Sequence, residues 1–113
     1  MDDDPAVLKG VGRLLSSANL GCEKFTDPEE FLRYSNAHRP RLAVIDVWMP
    51  AMNGLEVQSR LGEISPATRV IIFTAKETPF VRSAAMRAGA IAFFSKPFDG
   101  DEFLAAVRTG LEL

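Results

Sequence analysis

Three polar residues stand at or just after the ends of three short apolar stretches. Asp46 ends "RLAVID", Thr74 ends "RVIIFT", and Lys96 follows "IAFFS". A carboxylate, a hydroxyl and an ammonium group held together could form a purely structural network, in which Lys96 neutralises Asp46 and Asp46 caps the following turn. With further acidic groups beside them, they could instead form part of a metal site. For each residue taken alone, the structural interpretation is the ordinary one.

The N-terminus supplies further acid, because Asp2, Asp3 and Asp4 stand together directly before a predicted helix. Asp4 is a good N-cap, and acidic residues ahead of a helix favour its dipole. One cap does not need three aspartates, however. Carboxylates together with backbone carbonyls are the ligands of a hard divalent cation such as Mg²⁺. Like charges held close together are costly unless a cation lies among them. The acidic run therefore favours a cation site.

The elements that would position these residues alternate between short apolar runs and helical periodicity. Strands are predicted at "RLAVID", "RVIIFT" and "IAFFS", with a weaker candidate at "CEKFT". Strands that are apolar throughout and separated by helices indicate an α/β fold, with a parallel sheet covered on both faces. Ligands of such sheets bind beyond the carboxyl ends of the strands. We therefore expect Asp46, Thr74 and Lys96 to converge at one edge.

Five helices are predicted from apolar periodicity and capping residues. The first, about 5–19, is capped by Asp4 and ended by Gly21, and the second begins at Pro28. The others are 54–61, 79–88 and a last helix that Asp99 caps and that ends near Thr109.

Composition places the chain among ordinary globular domains. It has 113 residues, 47% of them hydrophobic and 25% charged, with a net charge of -2. This charge gives no general attraction to nucleic acid or to an anionic membrane. The single cysteine cannot form an internal disulfide, and no apolar run approaches the ~18–20 residues that span a bilayer. We expect one soluble, cytoplasmic domain that does not bind nucleic acid directly.

The order and spacing of three segments resemble a known family. "DDDPAV", "VIDVWMPAMNGLEV" and "IIFTAKETPFVRSAAMRAGAIAFFSKPF" together resemble the receiver domain of bacterial two-component response regulators, above all receivers fused to helix-turn-helix output domains. The similarity runs from "DDDPAV" to "FLAAV", so residues 1–113 would form one receiver domain. The resemblance implies a flavodoxin-like, doubly wound parallel sheet and a link to transcription regulation.

The resemblance also implies a phosphorylation site with a metal ion. Asp46 matches the aspartate that accepts a phosphoryl group from a histidine kinase. Asp2 and Asp3 match the acidic pair that holds Mg²⁺ together with Asp46, and the backbone carbonyl of Trp48 matches a further metal ligand. The chain would then act as a signalling switch, with no independent enzyme activity beyond accepting the phosphoryl group and slowly losing it.

Four further positions, Thr74, Phe93, Lys96 and Pro97, match residues with known roles around the phosphorylation site of the family. Thr74 matches the hydroxyl that contacts the phosphoryl group, and Lys96 matches the lysine that pairs with it. Phe93 matches the aromatic residue that changes rotamer on activation. The Lys96–Pro97 bond matches one that is usually cis. The face formed by the fourth helix, the last strand and the last helix would then support a homodimer after phosphorylation.

The chain departs from the family pattern at its start. Receivers have an apolar strand ahead of the acidic pair, whereas only Met1 precedes Asp2. We therefore expect an N-terminally truncated receiver with a damaged sheet, a gap between "CEKFT" and "RLAVID", and a frayed terminus at Asp2 and Asp3. This departure leaves an alternative open, a degenerate receiver that binds other proteins without being phosphorylated. A small hydrolase based on Asp46 fits poorly, because no histidine is placed to act as its base.

Overall fold

Three strands and five helices alternate along the computed structural model, which describes residues 1–112. The strands are β1 (Leu42–Asp46), β2 (Arg69–Thr74) and β3 (Ala92–Ser95). They form one parallel sheet in the order β1-β2-β3. The helices are α1 (Pro5–Ser17), α2 (Pro28–His38), α3 (Gly54–Ile64), α4 (Pro79–Arg87) and α5 (Gly100–Glu112).

The helices cover both faces of the sheet, as predicted for an α/β fold. Ile71 and Ile72 are adjacent in β2, point to opposite faces, and are both fully buried. Ile71 packs in a cluster with Leu15 of α1 and Phe103 of α5, whereas Ile72 packs in a cluster formed with α2, α3 and α4. A strand buried on both sides has no polar face, which explains why "RVIIFT" lacks alternation.

Side-chain caps fix where the helices begin. The carboxylates of Asp4 and Asp27 accept hydrogen bonds from the second residues of α1 and α2, and Asn53 does the same for α3. Thr78 caps α4 through the Val81 N–H, and Asp99 accepts two N–H groups in the first turn of α5. Each cap satisfies backbone donors that have no partner within the helix. The helix starts were therefore predictable from single residues.

The end of α1 differs from the prediction, which placed it at Gly21. Asn19 adopts a left-handed conformation with φ of 61° and ends the helix earlier. The N–H of Leu20 donates to the Leu15 carbonyl at 2.9 Å, and the N–H of Asn19 donates to the Ser16 carbonyl at 2.9 Å. These two bonds form a Schellman motif, in which asparagine takes the place that glycine more often fills.

The segment "CEKFT" forms no strand, so the weak strand prediction is wrong. It runs beside a cavity of about 580 Å³ that separates residues 21–25 from residues 42–44 of β1. The predicted gap in the sheet therefore lies where the sequence placed it. A strand needs a neighbour with which it can form ladder hydrogen bonds. Among residues 1–112, this segment forms one backbone hydrogen bond toward the gap, in which the Asp2 N–H donates to the Phe25 carbonyl at 3.1 Å.

The expected fraying of the N-terminus is also wrong, because Met1 and Asp2 are buried. The Met1 nitrogen donates to the Val44 carbonyl at 2.8 Å, and the Met1 carbonyl accepts from the Asp46 N–H at 3.0 Å. On the other side, Asp2 donates to Phe25. Hydrogen bonds to both neighbours hold these two residues in place. Within residues 1–112, no helix is both long and apolar enough to cross a bilayer.

Candidate functional site

Asp46, Lys96 and Asp2 meet at the carboxyl edge of the sheet. Asp46 is the last residue of β1, and its carboxylate is almost fully buried. The Lys96 ammonium group lies between two carboxylates: it donates to Asp46 Oδ1 at 3.3 Å and to Asp2 Oδ2 at 2.9 Å. The Lys96 stem packs over Phe73, with Nζ 4.4 Å from the ring centroid. The predicted convergence of Asp46 and Lys96 is therefore present.

Three carboxylates form an acidic cluster at this edge. One oxygen from each of Asp2, Asp3 and Asp46 lies within 4.8 Å of the others. Asp2 is held in place because its Oδ1 accepts the Asp4 N–H at 3.0 Å, while Asp4 itself caps α1. An all-oxygen cluster of this kind fits a hard divalent cation. The burial of Asp2 and Asp46, with one lysine between them, leaves negative charge that a cation would offset.

Burial and charge both act on Asp46. Desolvation, and next the nearby Asp2 carboxylate, raise the pKa of Asp46 to about 6, although the Lys96 ammonium opposes the shift. The pKa of Asp3 is also raised, first by desolvation and then by its contact with Asp2. Protonated and charged forms of Asp46 therefore exchange near neutral pH when no cation is bound.

This shift predicts how stability depends on pH. An elevated carboxyl pKa means that the folded protein binds the Asp46 proton more tightly than the unfolded chain does. The free energy of unfolding should therefore fall as pH rises from about 4 to about 6 through this group, and stay lower above that range.

Mg²⁺ should raise the melting temperature more at pH 8 than at pH 5. Thermal unfolding at both pH values, with Mg²⁺ and with Na⁺ at matched ionic strength, checks this. An equal Mg²⁺ effect at both would contradict it.

Thr74 lies at the same edge but contacts a different partner. It is fully buried at the end of β2 and pairs in register with Ser95, while Asp46 pairs with Phe73. Its hydroxyl donates to the Lys76 carbonyl and accepts from the Lys76 N–H, both at 3.2 Å. The structure therefore places Thr74 at the same edge of the sheet as the cluster, with its hydroxyl turned to the following loop.

Trp48 connects the two loops that border the cluster. Its indole N–H donates to the Lys76 carbonyl at 2.8 Å, and the ring is 45% exposed. The loop after β1 is thereby joined to the loop after β2. The family resemblance implied a role for the Trp48 carbonyl at the site, but nothing in the sequence indicated that the Trp48 side chain would contact Lys76.

Phe93 is buried in β3 beneath a charged pair that the sequence did not predict. The Arg82 guanidinium lies 5.2 Å from the Phe93 ring centroid and binds Glu77 at 2.7 Å. Glu77 also accepts a hydrogen bond from the Ser95 hydroxyl at 2.5 Å. The sequence feature that could have indicated this ion pair is the spacing of Glu77 and Arg82, two opposite charges five residues apart around the start of α4. The Lys96–Pro97 peptide bond is cis, the form that the resemblance implied.

Comparison with known proteins places this geometry in context. A family model described as the response regulator receiver domain matches residues 1–108. The response regulator protein TodT of Pseudomonas putida is 36% identical over 113 residues, which are 100% of this chain and 50% of TodT. The chain spans about half the length of the curated relatives it matches.

Solved structures give the same picture. A response regulator receiver protein from Burkholderia phymatum is 37% identical, with a TM-score of 0.85 over 100% of this chain and 92% of that one. The BeF3-activated receiver domain of DrrB is 31% identical, with a TM-score of 0.85 over 99% of this chain and 93% of that one. The fold and the family thus agree between sequence and structure.

Proposed function

The chain belongs to the response regulator receiver domain family, and we propose that it is a phosphorylation-dependent switch whose phosphoryl acceptor is Asp46. The donor would be a histidine kinase. The observation that carries this proposal is the buried Asp46 carboxylate, which lies 3.3 Å from the Lys96 ammonium and beside Asp2 and Asp3.

The proposed step is a phosphoryl transfer with balanced bonds. An Asp46 carboxylate oxygen attacks phosphorus, an O–P bond forms, and the bond from phosphorus to the kinase histidine nitrogen breaks. The released imidazole then takes up a proton from water. Only the charged carboxylate is a good nucleophile, so the reaction is favoured above the Asp46 pKa of about 6. The protein mainly positions the groups and offsets charge on the phosphoryl oxygens.

Two cations would supply that offset. Asp2, Asp3 and Asp46 would hold Mg²⁺, and the Trp48 carbonyl, which the family resemblance implies as a ligand, would be a further one. When bound, Mg²⁺ neutralises charge on the transferring group. Lys96 already lies between Asp2 and Asp46, so its ammonium can turn toward a phosphoryl oxygen once a phosphoryl group occupies Asp46. The long lysine stem allows this movement without a change in the backbone.

The output would begin at Thr74. Its hydroxyl would leave the Lys76 carbonyl and donate to a phosphoryl oxygen, which draws the loop after β2 toward the site. Phe93 would change rotamer in response. Because Arg82 lies over Phe93 and binds Glu77, this movement would also break or shift the Arg82–Glu77 pair on the surface. A charge change at Asp46 would in this way alter a face available to partners, including a second copy.

A direct experiment separates this proposal from the degenerate-receiver alternative. The protein is incubated with acetyl phosphate, with Mg²⁺ or with EDTA, and intact mass is measured. We expect the mass of one phosphoryl group to be added only with Mg²⁺. A chain that binds partners without phosphorylation would gain no mass under either condition. Sedimentation with beryllofluoride then tests the proposed homodimer separately.

Removing the Lys96 ammonium should slow the reaction while leaving the acceptor in place. We expect Lys96→Ala to lower the rate of phosphorylation by acetyl phosphate by about 10²-fold, the usual size for loss of one preorganised charge partner. Lys9→Ala, which removes an exposed lysine of α1, is the matched control and should react at the wild-type rate. Equal rates for the two variants would show that the Lys96 ammonium does not contribute to phosphoryl transfer.

A further inference from the structure

The side chain of Glu77 joins the loop after β2 to both β3 and α4. Glu77 lies in that loop, between Thr74 at the end of β2 and the N-cap of α4. Its Oε2 accepts a hydrogen bond from the Ser95 hydroxyl of β3 at 2.5 Å, and its Oε1 accepts from the Arg82 guanidinium of α4 at 2.7 Å. Both oxygens of one carboxylate are thus held by side chains of two different elements.

The Ser95 end of this network lies at the edge that carries the candidate site. Ser95 directly precedes Lys96 and pairs in register with Thr74. The Lys96 N–H donates to the Thr74 carbonyl at 2.7 Å, so the backbone segments that carry the ammonium and the hydroxyl are joined here. The hydrogen bond between Ser95 and Glu77 therefore fixes the loop after β2 relative to the strand that precedes Lys96.

The Arg82 end of the network covers Phe93. The Arg82 guanidinium lies 5.2 Å from the centroid of the Phe93 ring, which is buried in β3. A cation over an aromatic face is attracted by the ring, so Glu77 fixes a side chain that itself contacts Phe93. Hydrogen bonds to a charged group are stronger than neutral ones, and this carboxylate accepts two of them. Both residues that would respond in the proposed switch, Thr74 and Phe93, are therefore connected to Glu77.

We propose that Glu77 is a positioning residue, which holds the loop after β2 in its resting place and sets how readily the switch changes state. In the proposed function, on which this role rests, the Thr74 hydroxyl leaves the Lys76 carbonyl for a phosphoryl oxygen. Glu77 lies in the same short loop, so this movement would break its bonds to Ser95 and Arg82. Binding at Asp46 must then supply the free energy that breaks them, because a ligand shifts an equilibrium only by its differential affinity for the two states.

Beryllofluoride, used in place of a phosphoryl group on Asp46, allows the effect to be measured by fluorescence. The chain has one tryptophan, Trp48, whose indole donates to the Lys76 carbonyl, so its emission should report movement of the loop. Glu77→Ala removes both acceptor oxygens. With Mg²⁺ in excess, we expect this variant to lower the half-saturating beryllofluoride concentration about two- to fivefold, the range for loss of an exposed ion pair.

Two further variants separate this network from a general loss of charge. Ser95→Ala removes one of the two hydrogen bonds and leaves the Glu77 charge in place, so it should give a smaller shift in the same direction. Combined with Glu77→Ala it should add nothing, because the bond that it removes is already lost. Glu30→Ala, which makes the same charge change at an exposed position of α2, should bind beryllofluoride like the wild type.

Thermal unfolding supplies a readout that a merely structural role would not give. Without ligand, Glu77→Ala should have a lower melting temperature than the wild type. With saturating beryllofluoride and Mg²⁺ the two should unfold at the same temperature, because the bonds of Glu77 are already broken in the bound form. Equal destabilisation in both forms, with no gain in affinity, would show that Glu77 only stabilises the fold.

Weaker beryllofluoride binding by Glu77→Ala would show that Glu77 favours the switched form, and would also overturn the proposal. Unchanged affinity in this variant would overturn the positioning role alone and leave the phosphorylation switch in place. A wild type that binds no beryllofluoride would contradict the switch itself, and the role of Glu77 with it.

Discussion

The Asp46→Asn variant should take up no phosphoryl group from acetyl phosphate in the presence of Mg²⁺, which is a loss of at least ~10³-fold in rate. The amide nitrogen and oxygen of asparagine are far poorer nucleophiles than a carboxylate, while the side chain keeps its size. The variant should remain folded. Removing one of three clustered carboxylates also relieves repulsion, so we expect its stability above pH 6 to equal or exceed that of the wild type.

Asp4→Asn is the matched control for this result. Asp4 belongs to the same acidic run, but it is exposed and caps α1 through the Ala6 N–H, which asparagine can also do. Its phosphorylation rate should match that of the wild type. Intact mass measured over time gives both rates, and peptide mapping locates the modified residue. Phosphorylation of Asp46→Asn at another carboxylate would show that the acceptor has been misassigned.

The carboxyl edge was predictable because its residues are fixed by short-range patterns. Asp46 ends a strand whose other residues are apolar, Lys96 directly follows another short and mostly apolar strand, and parallel strands bring such residues to one edge. The N-caps at Asp4 and Asp99 were equally local, since each side chain satisfies backbone donors two or three residues away. The family resemblance added the assignment of chemistry to these positions, and membership in the family is confirmed.

The errors arose where long-range contacts decide the conformation. "CEKFT" has some strand character, but a strand forms only with a ladder partner, and the cavity beside β1 lies where that partner would be. Fraying at Asp2 was predicted from its position in sequence, whereas its N–H donates to the Phe25 carbonyl and its carboxylate accepts from the Lys96 ammonium. Those partners lie 23 and 94 residues away along the chain. Asn19 was missed because glycine at position 21 was the more familiar signal for a left-handed cap.

Gly54→Ala should be strongly destabilising, because α3 begins in direct contact with the backbone that carries Asp46. An added Cβ would lie 2.0 Å from the Asp46 carbonyl oxygen and 2.8 Å from the Val47 Cα. Both are main-chain atoms, so no side chain can rotate away. The Gly54 N–H also donates to the Val47 carbonyl at 2.8 Å, which holds the helix in this position. We expect a loss of about 3 kcal/mol or more in the free energy of unfolding, at the upper end for overpacked sites.

Gly62→Ala provides the comparison, because Gly62 lies in the same helix with nothing within 4 Å of an added Cβ. Alanine favours a helix over glycine by about 0.5–1 kcal/mol, so this variant should be slightly more stable than the wild type. Urea unfolding of the two variants measures the difference, and the phosphorylation rate of folded Gly54→Ala reports the effect on Asp46. To accommodate the methyl group, the end of β1 must move relative to α3, which shifts Asp46 away from Lys96 and the other carboxylates. Similar stability and equal rates for both variants would mean that α3 can withdraw from β1 at little cost, and that the contact does not position Asp46.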